Sequence, residues 1–292
     1  MRAIVTLAMV KELRSVTGAG IMACKKALQT TNGNIKAAIR ELRKAGEATV
    51  SKLAGKKTVE GVIVIAVSDD SKKGYIVEIN CQTDFVARNK EFIAFAQNVA
   101  ERGLTEKITD VVATPTLYQP SLSTTLEKAR QELITKLGEN IQIRRVRLLS
   151  VDSGIIGHYS HGSRIGVLVA LNSDKDKLAL AKDIAMHIAA FNPQAIRASD
   201  VPIETVEKEK EILIAQAKES GKSKDIITKI IDGRLNKFLK EISLEGQSFL
   251  KNPEILVGNL LKSEKVTITA FVRFKVGESI EQDSENFVNE FR

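Results

Sequence analysis

The hydrophobic period of the chain changes repeatedly along its length, and the order of the changes leaves few folds open. Two β-branched runs, Val59 to Val67 and Tyr75 to Asn80, flank the polar stretch Asp69-Asp70-Ser71-Lys72-Lys73-Gly74 and read as a hairpin. A helix follows at about Lys90 to Arg102, with Phe92, Phe95, Ala96 and Val99 on one face. A second helix is expected at Leu126 to Leu137, beyond an irregular stretch holding Pro115 and Pro120. Then the pattern returns. Ile141 to Ser150, Gly154 to Tyr159 and Gly166 to Leu171 read as strands, and the Ala-rich run Asp176 to Phe191 as a helix stopped by Asn192-Pro193. A strand pair followed by a helix, met twice, predicts an α+β fold with two related core subdomains. At 292 residues the chain is also too long for one ordinary core.

Helical periodicity brackets this core. Residues 7–45 read as three short helices. Leu7 to Val16 carries Val10, Leu13 and Val16 on one side and breaks at Thr17-Gly18-Ala19-Gly20; Ile21 to Thr30 is the second helix. Asn34 caps a third helix, whose stripe of Ile35, Ala38, Ile39 and Leu42 runs up to Gly46. Residues 203–242 read as an antiparallel helical hairpin. Val206, Leu213 and Ala217 mark one arm, Ile227, Ile230, Ile231, Leu235, Phe238 and Ile242 the other, with the tip near Gly221. Lys265 to Phe274 alternates again and is expected to return to the second sheet. Glu281 to Arg292 reads as a short acidic amphipathic segment. The resulting division is a bundle at 1–45, a linker at 46–57, one core subdomain at 58–140 and another at 141–202 with 243–275. The hairpin at 203–242 and a C-terminal module at 276–292 complete it.

Charge is distributed unevenly. The first 57 residues hold 12 Lys and Arg against 3 Glu, whereas the other 235 hold 32 against 33 acidic groups. A basic module that small points to an acidic protein surface, to nucleic acid, or to a merely solvated face. Its lack of interleaved aromatic residues weakens base stacking. The apolar run Ile4 to Val10 is too short to span a bilayer. Lys11, Glu12 and Arg14 follow it with no small-residue cleavage pattern, so no export is expected. Two cysteines 57 residues apart build neither a disulfide scaffold nor a Cys-x-x-Cys site, and a reducing cytoplasm is expected.

Catalytic constellations are not found. Gly221-Lys222-Ser223 lacks the glycine five residues earlier that a phosphate loop needs, because Gln216 stands there. Gly154-Ile155-Ile156-Gly157 and Gly162-Ser163-Arg164-Ile165-Gly166 lack the dinucleotide fingerprint. His158 and His161 have no ligand set around them, and His187 reads as a satisfied core or interface histidine. Cys24 and Cys81 read as packed thiols. No cofactor or metal is expected.

The informative stretch is Glu78-Ile79-Asn80-Cys81-Gln82-Thr83-Asp84-Phe85-Val86-Ala87-Arg88-Asn89. A strand ends and an aromatic stands beside an acid before the next helix. Thr83 or Asp84 caps a helical turn. Two readings stay open. Phe85 is a core plug with Asp84 as the cap, or an exposed wedge that docks on a partner, with Asp84 orienting it or meeting a partner's positive group.

These residues, together with Leu13-Arg14-Ser15-Val16-Thr17-Gly18-Ala19-Gly20-Ile21-Met22-Ala23-Cys24-Lys25-Lys26-Ala27-Leu28, resemble the two signatures of the translation elongation factor Ts family. Further likeness lies in His161 to Gly166, Ala185 to Ala190, Gly233-Arg234, Phe238 to Ile242 and Val272 to Phe274, so the resemblance runs along the whole chain. It implies the full-length bacterial type, with an N-terminal three-helix bundle like a ubiquitin-associated domain and the hairpin as a coiled-coil module. The family's activity is guanine nucleotide exchange on elongation factor Tu, bound in its GDP and nucleotide-free states. That activity requires no cofactor, no covalent chemistry, no membrane and no direct nucleic acid. The resemblance places the exchange wedge and magnesium displacement on Thr83, Asp84, Phe85 and Val86. Partner contacts fall on Leu13, Arg14, Thr17, Gly18, His161 and Gly162. Family members differ in whether a two-fold self-assembly forms, which leaves that point open.

Overall fold

Helix α1 (Leu7–Thr17) starts where the Thr6 hydroxyl accepts the Met9 N–H and ends at Gly18, whose φ of 67° is left-handed. A side chain there would be strained, so the break expected at Thr17-Gly18 is where the helix stops. Helix α2 (Ile21–Thr30) follows, and α3 (Ile35–Leu53) begins at Asn34, whose side chain accepts the Ala37 N–H. Val10, Leu13, Cys24, Ala27, Leu28 and Ala38 form the bundle core. Val16, expected on the buried stripe, is exposed. The computed structural model describes residues 5–108, 124–173, 177–218 and 224–280.

The expected helix end at Gly46, and the linker drawn from there, are corrected. α3 runs through Gly46 to Leu53, and Val50 joins the core of the following sheet. Gly46 is where α3 meets α6 (Thr124–Leu137): a Cβ on it would stand 2.9 Å from the Thr135 hydroxyl oxygen. The glycine marks a close helix crossing rather than a breaker, and burial outweighs its poor helix propensity.

Strands β1 (Glu60–Val67) and β2 (Lys73–Cys81) form the expected hairpin. A single helical turn, α4 (Asp84–Ala87), leads into α5 (Lys90–Glu106), and α6 precedes β3 (Gln142–Ser150). Phe92, Phe95, Ala96 and Val99 of α5 are all buried, as their spacing predicts. β3 hydrogen-bonds to β2, giving the order β1-β2-β3. The subdomain boundary expected at 141 is therefore moved. The run Ile141 to Ser150 reads as a strand, and Ile141, Ile143 and Val146 are buried in the first unit's core, but its local pattern says nothing about which sheet receives it.

The chain divides into two compact units. One holds the bundle, residues to Ala66, Tyr75–Leu148 and the chain from Phe274. The other holds Val67–Gly74 and Leu149–Arg273. In the second, β4 (Ile155–His161) and β5 (Ile165–Asn172) pair antiparallel, with Ile155 opposite Leu171 and His161 opposite Ile165. Helix α7 (Leu178–Phe191) covers them and ends at Asn192 in a left-handed conformation, ahead of Pro193. Residue 176, where this helix was expected to start, is outside the described residues.

Helices α8 (Ile203–Lys218) and α9 (Lys224–Ile242) form the helical hairpin around Leu213 and Ile231. Its tip near Gly221 is outside the described residues. The short pair β6 (Ser248–Phe249) and β7 (Asn252–Leu256) leads to α10 (Val257–Ser263), and β8 (Thr267–Lys275) joins β5 as expected. Residues 281–292, the acidic segment, also lie outside the described residues. The molecule is α+β, and no described helix is long and apolar enough to cross a membrane.

Candidate functional site

At the C-terminal end of β2 the chain turns through Gln82 and Thr83 into α4. Thr83 is the cap: its hydroxyl accepts the Val86 N–H at 3.4 Å. Val86 and Ala87 are buried in the first unit's core and hold the turn from below. Phe85 is 83% exposed. The core-plug reading is therefore overturned, and Asp84 is not the cap. Asp84 instead pairs with Arg88 at 3.0 Å on an exposed surface, where such a pair contributes little stability. Phe85 thus stands in solvent between the capping Thr83 and the buried Val86.

Four of the expected residues thus divide in function. Thr83 and Val86 build the turn, while Asp84 and Phe85 face outward. Asn89 caps the next helix by accepting the Glu91 N–H at 2.8 Å. Beneath the turn, the Cys81 thiol donates to the Thr83 carbonyl at 3.2 Å. Burial, then the nearby carboxylates of Glu139 and Glu60, push this thiol up to about 12, so it is no nucleophile.

In the bundle, Leu13 is wholly buried, so its expected partner contact is corrected: it shapes the bundle from inside. Arg14 is exposed, and its carbonyl accepts the Gly18 N–H at 2.8 Å. The Thr17 hydroxyl donates to the Leu13 carbonyl at 2.7 Å and is half-buried. Around this turn, Val16, Ile21 and Met22 are exposed apolar residues, Met22 at 75%. Helical period already separates Met22 from the buried face of Cys24, Ala27 and Leu28. Among the described residues, no basic side chain of the bundle has an ion-pair partner.

Two residues join these segments, and sequence reading missed both. Lys136 lies beside Gly18, with its Cδ 3.7 Å from where a Cβ would be, and its ammonium pairs with Glu91 at 2.7 Å. Glu139, three residues on, accepts the N–H groups of Gln82 at 3.1 Å and Thr83 at 3.0 Å, and the Thr83 hydroxyl at 2.6 Å. The end of α6 thus touches both the Gly18 turn and the segment around Phe85. No local pattern marks Glu139, because its partners stand more than fifty positions upstream.

His161 and Gly162 sit on the exposed β4–β5 turn of the second unit, with the His161 ring nitrogen Nδ1 3.2 Å from the Tyr159 hydroxyl. His187 is buried: its Nδ1 accepts the Leu250 N–H at 3.1 Å and its Nε2 bonds to Gln247 at 3.0 Å. This is the satisfied histidine the sequence suggested. No cluster of three or more His, Cys, Asp or Glu suited to a metal ion occurs among the described residues.

The described residues thus place an aromatic in solvent on a capped turn, and exposed apolar residues on the basic bundle. The family model described as Elongation factor TS matches residues 82–278. The chain is 59% identical to Elongation factor Ts of Coxiella burnetii (strain RSA 493 / Nine Mile phase I), over 98% of this chain and 96% of that protein. It is 51% identical to Elongation factor Ts of Legionella pneumophila (strain Paris), over 98% of this chain and 97% of that protein. With Elongation factor Ts of Hydrogenovibrio crunogenus the identity is 50% over 98% of this chain and 96% of that protein. The chain belongs to the elongation factor Ts family.

Proposed function

We propose that this protein is the guanine nucleotide exchange factor for elongation factor Tu, and that Phe85 is the wedge that drives exchange. The observation carrying the wedge is the exposure of Phe85 on a turn whose flanking residues are fixed. A phenylalanine already held in solvent loses little entropy on docking and removes a large apolar area from water. Inserted beside the partner's bound magnesium, it displaces groups that hold the ion. Magnesium neutralises the diphosphate, so its loss weakens GDP binding directly. Asp84 stands next to the wedge and presents a carboxylate to that region. Arg14 and the Gly18 turn, with Met22, supply a separate contact through the bundle, and His161 and Gly162 one from the second unit.

Linkage sets the energetics. The factor must bind the nucleotide-free partner more tightly than the GDP complex, and GDP then weakens its binding by the same ratio. A coupling of about 4 kcal/mol corresponds to roughly a thousandfold. Exchange is accelerated in both directions, and the cellular excess of GTP supplies the net direction.

Stopped-flow release of a fluorescent GDP analogue from elongation factor Tu of the same organism tests this reading. Substoichiometric protein is expected to accelerate release strongly. Phe85→Ala is expected to reduce that acceleration roughly thirtyfold, the equivalent of about 2 kcal/mol for burying one phenylalanine. Full acceleration by a folded Phe85→Ala variant overturns the wedge; none by the unaltered protein overturns the function. The basic excess of residues 1–57, with 12 Lys and Arg against 3 Glu, favours a second reading, binding to RNA or the ribosome. It requires RNA affinity that falls steeply with salt.

A further inference from the structure

Helix α4 is a single turn, too short to propagate its own hydrogen bonds, and its first N–H groups have no partner within it. An isolated turn of this length is not stable in water, and an exposed phenylalanine on it would be expected to fold back onto apolar surface. Phe85 does not.

The Glu139 carboxylate takes three hydrogen bonds from the turn. One oxygen accepts the main-chain N–H groups of Gln82 and Thr83, at 3.1 and 3.0 Å. The other accepts the Thr83 hydroxyl at 2.6 Å, the short distance of a charge-assisted bond. That third bond has a consequence for the cap. A hydroxyl has one proton, and here it points at Glu139. The hydroxyl oxygen then has lone pairs free for the Val86 N–H. Glu139 therefore sets the orientation of the cap as well as the position of the chain.

Glu139 is itself anchored. Asn140, its neighbour, donates its main-chain N–H to the Gln82 side-chain oxygen at 3.2 Å. Its buried amide donates to the carbonyls of Ala54 and Lys56, at 3.2 and 2.9 Å. The clasp thus connects the chain after α3, the chain after α6 and the Thr83 turn, all within the first unit.

We propose that Glu139 is the positioning residue of the exchange wedge: through Thr83 it holds Phe85 outward in the geometry that docking needs. This rests on the reading of Phe85 as the wedge. Glu139 touches no nucleotide and acts through the turn alone. Its loss lowers the maximal rate of exchange more than it raises the concentration of factor giving half-maximal rate, because contacts through the bundle and the second unit remain.

The test is a double-mutant cycle in the stopped-flow GDP-release assay, using the full chain and four proteins: unaltered, Glu139→Ala, Phe85→Ala and the double variant. Glu139→Ala is expected to lower the maximal accelerated rate about tenfold, with less than threefold change in the half-saturating concentration. In the Phe85→Ala background the same change is expected to cost less than twofold, since two groups acting through one contact are not additive. Glu139→Gln keeps one acceptor and is expected to fall between. Peptide-resolved hydrogen exchange supplies a readout independent of activity: the amides of Gln82, Thr83 and Val86 are expected to exchange at least tenfold faster in Glu139→Ala, and those of α7 unchanged. An unaltered maximal rate in folded Glu139→Ala overturns the proposal, as does a loss that adds in full to that of Phe85→Ala. Should Glu139→Ala fail to fold, the same criteria apply to Glu139→Gln and to Thr83→Val. Failure of the wedge reading shows separately, as a Phe85→Ala single variant with an unaltered rate.

Discussion

His187 shows how one buried side chain makes the stability of a region depend on pH. The Leu250 N–H donates to its Nδ1, so the ring proton sits on Nε2 and is donated to Gln247, whose amide donates in turn to the Glu241 carbonyl at 2.7 Å. Phe191 and Phe249 lie against the ring, at 4.7 and 6.2 Å between centroids. Burial lowers the pKa of this histidine below its ordinary value, and the bond to Gln247 only partly opposes that. The sign follows. The unfolded chain takes up a proton as pH falls through about 6.5, whereas the folded one resists, so stability is lost below that value. Between pH 6.5 and 5.5 the loss is expected to be at most about 1.4 kcal/mol, and above pH 7 none is expected from this residue. Urea-unfolding midpoints of the protein and of His187→Gln across pH 5–8 check it: the variant's curve is expected to be flatter below 6.5.

At the scale of elements, packing distance decides more than propensity. Gly157 lies in β4 against α7: a Cβ there would meet the Ala181 Cβ first, and would come within 2.8 Å of the Ala181 carbonyl carbon and 2.9 Å of its oxygen. Neither the alanine Cβ nor the main chain can rotate aside. Gly157→Ala is expected to destabilise the second unit by about 1–3 kcal/mol, the usual range for overpacking. Thermal unfolding with hydrogen exchange of β4 and α7 measures it, and an unchanged midpoint would contradict the close crossing. The helical hairpin is the opposite case. Only Leu213 and Ile231 are buried between its described arms, with Ile214, Ile227 and Leu235 partly covered, while Ile203, Ile212 and Ile226 are exposed. Two helices sharing so small a core are expected to open locally more readily than the sheets.

At the scale of the molecule, distant parts of the chain are tied by charge as well as by core. Glu78 is fully buried in β2 and bonds to the guanidinium groups of Arg144, at 3.2 Å, and Arg145. It also accepts the Gly277 N–H at 2.8 Å, 199 residues away. Arg145 stacks over the Phe274 ring, 4.3 Å from its centroid, and donates to the Lys275 carbonyl. This cluster binds the chain leaving β8 to the sheet of the first unit. Removing one member of a buried ion cluster leaves the others uncompensated, at a cost of about 3–5 kcal/mol. Glu78→Gln is expected to destabilise the first unit by that order and to speed hydrogen exchange of residues 274–280 in particular. Unchanged protection there would show that apolar packing alone secures the segment.

Local pattern was enough for most of the longer elements, but not for β6, β7 and α10. The helices of the bundle, the α5 core face and the β4–β5 pair follow from periodicity and turn residues, since each depends on chain close by in sequence; β8 was legible as a strand from its alternation, although its contact with β5 joins Thr269 to Ala170, 99 residues away. The quoted signature around Phe85 located the candidate site in the same way. What it left open was whether Phe85 faces the core or the solvent, because burial depends on chain that arrives from elsewhere. Gly46 has the same lesson: a glycine near the end of an apolar stripe signals a stop, unless another helix passes close enough to need it, as α6 does at Thr135. The sheet that receives β3, the Glu78 cluster and the Glu139 clasp are all contacts across fifty or more residues. Such contacts exist only once the chain has collapsed, and they carry no period, spacing or composition for a linear reading to detect.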